Sequence, residues 1–175
     1  VVTSPLRDVT RAATYRTTSL LGLPFHDVDR LVEHHAGRSI EQLLSEEGEE
    51  AYREVEATCL ASALGQRPWG LVGLADQDRP LPERGGGSSP DFTLVVLDFE
   101  LANLYWRIQA TARQRESSRW HPLFEGLPQS IDELRPFWSQ WRRAQLSPDL
   151  EIDADSLSVA EISDRLQSWL QEAER

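Results

Sequence analysis

The apolar positions of this chain change period along its length, and the changes divide it into elements. Residues 8–21 carry apolar side chains at helical spacing, and Gly22 follows as a C-terminal stop. Leu23–Phe25 is a short apolar run of strand type. A helix restarts over Asp27–His35 and stops at Gly37; Ser39 then caps the turn SIEQLLSEE, which ends at Gly48. Glu49–Leu64 is the clearest helix: Tyr52, Val55, Cys59, Leu60 and Ala63 form one stripe, and the glutamates before it favour its N-terminal dipole. Beyond Gly65 the runs become continuous. Trp69–Leu74 and Phe92–Leu97 read as buried parallel strands. Between them, Ala75–Pro90 is rich in Pro, Gly and Ser and reads as a loop. Helices follow over Glu100–Arg113 and Asp132–Gln145, with a polar, irregular stretch at Gln114–Pro122. A short strand at Leu150–Ile152 precedes a last helix, Val159–Glu172, capped by Ser158.

Strands alternating with helices predict right-handed βαβ units, hence a three-layer α/β fold with helices on both faces of a parallel sheet. No internal repeat or second domain is expected in residues 1–175. Loop insertions are placed at about 76–90, and an altered lid region at about 112–126.

Composition narrows the chemistry. The 39% hydrophobic fraction supports a packed core. A net charge of −11 disfavours nucleic acid, which selects a basic surface. No apolar run reaches the ~20 residues that cross a bilayer, so no membrane association is expected. One cysteine, Cys59, allows neither an internal disulfide nor a cysteine zinc site, and its place on an apolar stripe makes it a core residue. His34 and His35 are adjacent and point ~100° apart on a helix, so no metal site is expected there. All 18 basic residues are Arg, which excludes lysine chemistry: no Schiff base, no lysine base, no P-loop lysine. Met is absent too, so Val1 is not read as a translation start, and no signal or transit peptide is visible.

Residues 22–60 combine several spacings. Asp27 and Asp29 form an Asp-x-Asp pair, Gly37-Arg38-Ser39-Ile40 follows one helix later, and Gly48-Glu49-Glu50-Ala51-Tyr52-Arg53-Glu54-Val55-Glu56 follows that. This segment closely resembles the shikimate kinases. LVVLDFE, His121-Pro122-Leu123-Phe124 and LEIDADSLSVAEISDRL extend the resemblance more weakly toward the C-terminus. It implies a nucleoside-monophosphate-kinase-like P-loop fold. It further implies that Asp29 and Arg53 hold the acceptor's hydroxyls and carboxylate, and that Asp27 stands beside Mg²⁺. A second acceptor arginine is assigned to Arg142, with Arg135 and Arg143 as neighbours in contention.

The nucleotide loop departs from that pattern. The window corresponding to Gly-x-x-Gly-x-Gly-Lys-Ser/Thr is Ser4-Pro5-Leu6-Arg7-Asp8-Val9-Thr10-Arg11. Its glycines are missing, Thr10 stands at the lysine position, and Arg11 stands at the hydroxyl position. Glycines let the backbone wrap a phosphate, and the lysine and hydroxyl serve the phosphates and Mg²⁺. At the lid, His121 replaces an arginine, and a neutral imidazole clamps phosphate poorly. Gly85-Gly86-Gly87 follows no strand and is read as a linker.

The expected protein therefore resembles the presumed inactive shikimate kinase-like proteins of plastids and cyanobacteria. It has no catalytic residues and no cofactor, and acts through another protein or a residual shikimate-like ligand, in the cytoplasm or chloroplast stroma. Two alternatives stand beside this: a divergent active kinase using ATP and Mg²⁺, and a hydroxy-acid sensor. Two bland roles also stay open: Asp27 and Asp29 as helix caps, and Arg53 as a structural partner of Asp29. The six tryptophans either fill the space of a nucleotide or mark a partner surface.

Overall fold

A computed structural model describes residues 1–75, 81, 91–114, 126–145 and 147–173. In chain order the elements are β1 (Val2–Ser4), α1 (Arg7–Leu21), β2 (Phe25–Asp27), α2 (Val28–Ala36), α3 (Ile40–Gly65), β3 (Leu71–Ala75), β4 (Val95–Asp98), α4 (Leu101–Gln114), α5 (Ile131–Ala144), β5 (Leu150–Asp153) and α6 (Val159–Ala173). The five strands form one parallel sheet in the order β2-β3-β1-β4-β5. Helices cover both faces, as the alternating pattern predicts.

Side-chain alternation along β4 divides the core in two. Val96 packs with Val28, Val32, Tyr52, Leu74 and Trp141 on one face. Val95 and Leu97 pack with Ala13, Leu104, Ile108 and Ile162 on the other. Cys59 lies in the first of these cores, as its stripe implies.

The helix punctuation follows the sequence closely. Gly22 and Gly37 adopt the left-handed conformation that ends α1 and α2. Ser39 caps α3 through a reciprocal pair with Gln42. Gly48, with φ 87° and ψ 178°, breaks α3 into two helical segments, as its position before Glu49 predicts.

Strand bounds are less well anticipated. The strand expected at Leu23–Phe25 lies at Phe25–Asp27, because Phe25 is the first residue in register, opposite Leu71. The strands expected at Trp69–Leu74 and Phe92–Leu97 also begin later and end one residue further on. An apolar run marks burial, whereas a strand is bounded by its ladder. Hydropathy does not reveal the central strand β1, because Val-Thr-Ser is too short to display a period. The expected loop at 76–90, the glycines 85–87 and His121 lie outside the described residues, except for Leu81. Most of the lid expected at 112–126 does as well.

Candidate active site region

In parallel α/β sheets, ligands meet the carboxyl ends of the strands. Here that edge is formed by Ser4, Asp27, Ala75, Asp98 and Asp153, the last residues of the five strands.

At the middle of the edge, β1 passes to α1 across Pro5 and Leu6 alone. Pro5 carries no N–H. The Leu6 N–H donates to Ser4 Oγ at 3.0 Å, and the Leu6 carbonyl accepts the first helical bond from Thr10 N–H at 3.0 Å. Ser4 Oγ also meets Thr10 Oγ1 at 2.7 Å, with both residues buried. Val9 packs against the core. The turn is thus closed on itself through its own hydroxyls.

Arg7 and Arg11, one helical turn apart, reach from α1 to the acidic pair at the end of β2. Arg7 lies 2.6 Å from Asp29 Oδ2 through Nη2 and donates to it through Nε at 2.8 Å. Arg11 Nε lies 3.1 Å from Asp27 Oδ2, without the alignment of a hydrogen bond, and Arg30 approaches the same oxygen at 3.8 Å. Asp27 occupies the N-cap position of α2, but its side chain makes no capping bond, which corrects the capping role left open for it. Burial lifts the Asp29 carboxyl above the usual carboxylate range, against the pull of Arg7.

Next to this pair lies a buried polar cluster on α3. Tyr52 Oη donates to Glu56 Oε1 at 2.8 Å, and Arg53 Nη1 donates to Glu56 Oε2 at 2.9 Å. Arg53 also faces Glu49 at 3.6 Å and lies over the Tyr52 ring. Burial pushes up both the Glu56 carboxyl and the Tyr52 hydroxyl, and the negative charge of Asp29 pushes both the same way. Asp29 and the α3 cluster are therefore neighbours, although Asp29 takes Arg7 as its ion-pair partner, not Arg53.

Arg142 lies elsewhere. It pairs with Asp98 at 3.2 Å and approaches Glu151 at 3.8 Å, stacked on Trp138. Asp98 ends β4, which β3 and β1 separate from β2, a span of roughly 14 Å across the sheet. The structure thus brings Asp27, Asp29, Arg7, Arg11 and Arg53 together and leaves Arg142 at the other side. Arg135 is held by Asp132, in its own helix.

Two participants escape sequence reasoning. Glu56 appears only as a motif letter, yet it anchors the buried cluster; its spacing of three from Arg53 and four from Tyr52 is the available signal. Motif spacing places Arg7 and Arg11 in the degenerate nucleotide loop, whereas in the fold they act as counterions to the Asp-x-Asp pair.

The architecture compares directly with known proteins. A family model described as shikimate kinase matches residues 15–73. The shikimate kinase of Symbiobacterium thermophilum is 33% identical over 159 residues, covering 84% of this chain and 83% of that protein. The chain belongs to the shikimate kinase family. The shikimate kinase of Chlorobium luteolum is 30% identical over 163 residues, covering 87% of this chain and 77% of that protein. Among solved structures, the shikimate kinase from Aquifex aeolicus superposes with a TM-score of 0.67 at 18% identity, over 99% of this chain and 96% of that one. The shikimate kinase from Acinetobacter baumannii, solved in complex with shikimate, gives 0.68 at 15% identity, over 98% and 92%. The fold is accordingly that of the P-loop shikimate kinases.

That family fold implies a nucleotide with Mg²⁺ seated at the β1–α1 turn. A triphosphate needs several free backbone N–H groups in a cradle and a cation set above it. Here Pro5 has no donor, the Leu6 donor is taken, and Arg7 and Arg11 are turned to carboxylates. Asp27, to which the family resemblance assigns the Mg²⁺ side, has Arg11 Nε 3.1 Å from its Oδ2, and that buried oxygen takes no hydrogen bond.

Proposed function

We propose that this member of the family is a binding protein without phosphoryl transfer: one shikimate-kinase-like domain over residues 1–175, with a degenerate nucleotide loop. Positioning and charge stabilisation supply nearly all catalysis of phosphoryl transfer, so a missing cradle costs orders of magnitude in rate. One observation carries the reading. Between the central strand and its helix stand a proline without a donor and a leucine whose N–H is bound by Ser4. Replacing the glycines of such a turn also removes the backbone freedom that phosphate wrapping requires.

The ion pairs of Arg7 and Arg11 support the same reading. Each guanidinium neutralises a carboxylate that an active site would hold ready for metal or acceptor hydroxyls. The decisive experiment is titration calorimetry of the full chain with Mg-ATP, followed by a coupled assay with shikimate. No heat and no turnover are expected. Saturable phosphorylation of shikimate would overturn the reading.

A further inference from the structure

Away from the Arg7 end of α1, exposed apolar side chains gather where α1 runs into β2 and β3 begins. Tyr15 is 62% exposed, Leu20 52% and Trp69 48%. Their segments are in direct contact. The Tyr15 ring meets the Phe25 ring edge-on at 6.0 Å, and the Leu71 N–H donates to the Pro24 carbonyl at 3.0 Å. A Cβ on Gly70, beside Trp69, would stand 2.3 Å from that same Pro24 oxygen. This is one corner of the molecule, at the amino ends of β2 and β3.

The segments that form it carry charge opposite to that of the chain, while α6, which meets α1 at Thr17 and Ser163, bears Glu161, Asp164 and Glu172. The stretches 15–25 and 57–71 contain Arg16 and Arg67 and no acidic residue, in a sequence with 29 of them. Among the described residues neither arginine has a carboxylate partner; Arg67 donates only to the neighbouring Gln66 carbonyl. By contrast, Arg7, Arg11, Arg38, Arg53 and Arg142 are all ion-paired. Tryptophan, tyrosine and arginine are the residues that dominate binding hot spots.

We propose that this corner docks a short acidic segment of a partner protein, seated by apolar side chains against Tyr15 and Trp69 and by carboxylates against Arg16 and Arg67. A peptide senses mainly charge within a Debye length of about 8 Å, so it meets the two arginines. An anionic membrane plane faces the whole molecule and its net charge of −11, which repels it. The inference rests on the binding role proposed above, but its test reads a different site from the ATP calorimetry, so either can fail alone.

The probe is a capped synthetic peptide alternating Glu with Phe and Leu, titrated into the full chain. Saturable binding is expected, falling as salt rises, and weakening about tenfold in Trp69→Ala and again in the Arg16→Gln, Arg67→Gln double variant. Trp106→Ala, at an exposed tryptophan on α4, should leave it unchanged. Absence of binding overturns the proposal, as does equal binding of a peptide with Gln for Glu, or unchanged affinity in the arginine variant, which keeps every core contact. Capture of wild type but not Trp69→Ala by phosphatidylserine vesicles, or a dimer in sedimentation that Trp69→Ala abolishes, would assign the corner to a membrane or a second copy and equally overturn it.

Discussion

The Arg7 guanidinium stands 2.6 Å from the Asp29 carboxylate, tying the first turn of α1 to the first turn of α2. Both side chains are partly shielded, so removing one partner strands a charge that burial already disfavours. Arg7→Gln should lower stability by about 1–2 kcal/mol, a buried-pair cost reduced for the solvent that reaches both groups. Urea unfolding measures it. The Arg7→Gln, Asp29→Asn double variant should recover part of the loss, and strictly additive losses would show that the pair is not coupled.

Glu56 predicts a pH dependence. Its folded carboxyl holds its proton more tightly than the unfolded chain does, because burial outweighs the bonds from Arg53 and Tyr52. The stability it contributes is therefore fully present below the ordinary glutamate value, about 4.3, and is lost as pH rises through the higher folded value. Asp29 acts with the same sign. Urea midpoints of Glu56→Gln should fall less between about pH 4 and 7 than those of the wild type. An equal or steeper fall would contradict the assignment.

Two glycines should resist substitution for different reasons. At Gly48 an added Cβ would meet nothing within 4 Å, so the cost of Gly48→Ala is backbone strain alone, about 1–3 kcal/mol. At Gly70 the obstacle is the Pro24 backbone, which cannot rotate aside. Gly70→Ala should displace the entry of β3 beside β2 and destabilise more than Gly48→Ala. Thermal unfolding of the two variants ranks them.

Ser39→Ala removes the hydroxyl that accepts from the Gln42 N–H, and with it half of the capping box. A loss of about 1 kcal/mol is expected. Ser39→Asp should restore most of it, since a carboxylate at that position accepts the same bond and favours the helix dipole. Failure of Asp to rescue would point away from capping.

The helices are legible in the sequence because their signals are local: Gly22 and Gly37 end them, Ser39 begins one, and Gly48 interrupts one, each through its own backbone preference. The sheet is legible only as a class. Its edges depend on which residue meets which partner, so Phe25 and Val95 mark strand starts that hydropathy places earlier. The Asp27, Asp29 and Arg53 positions can be read from motif spacing. Their partners cannot, because Arg7 and Arg11 reach the two aspartates only once α1 is packed beside β2. Arg142 shows the same limit: counting along α5 gives its sequence neighbourhood, and the Asp98 and Glu151 carboxylates decide where it points.

The three residues of β1 lie between β3 and β4, with Val2 opposite both Gly73 and Val95. The middle of the sheet therefore waits on chain synthesised far later, and the early helices can form while the ladder that joins them is still missing. Folding of this domain should be limited by that long-range closure, with loop entropy spent before any central pairing rewards it.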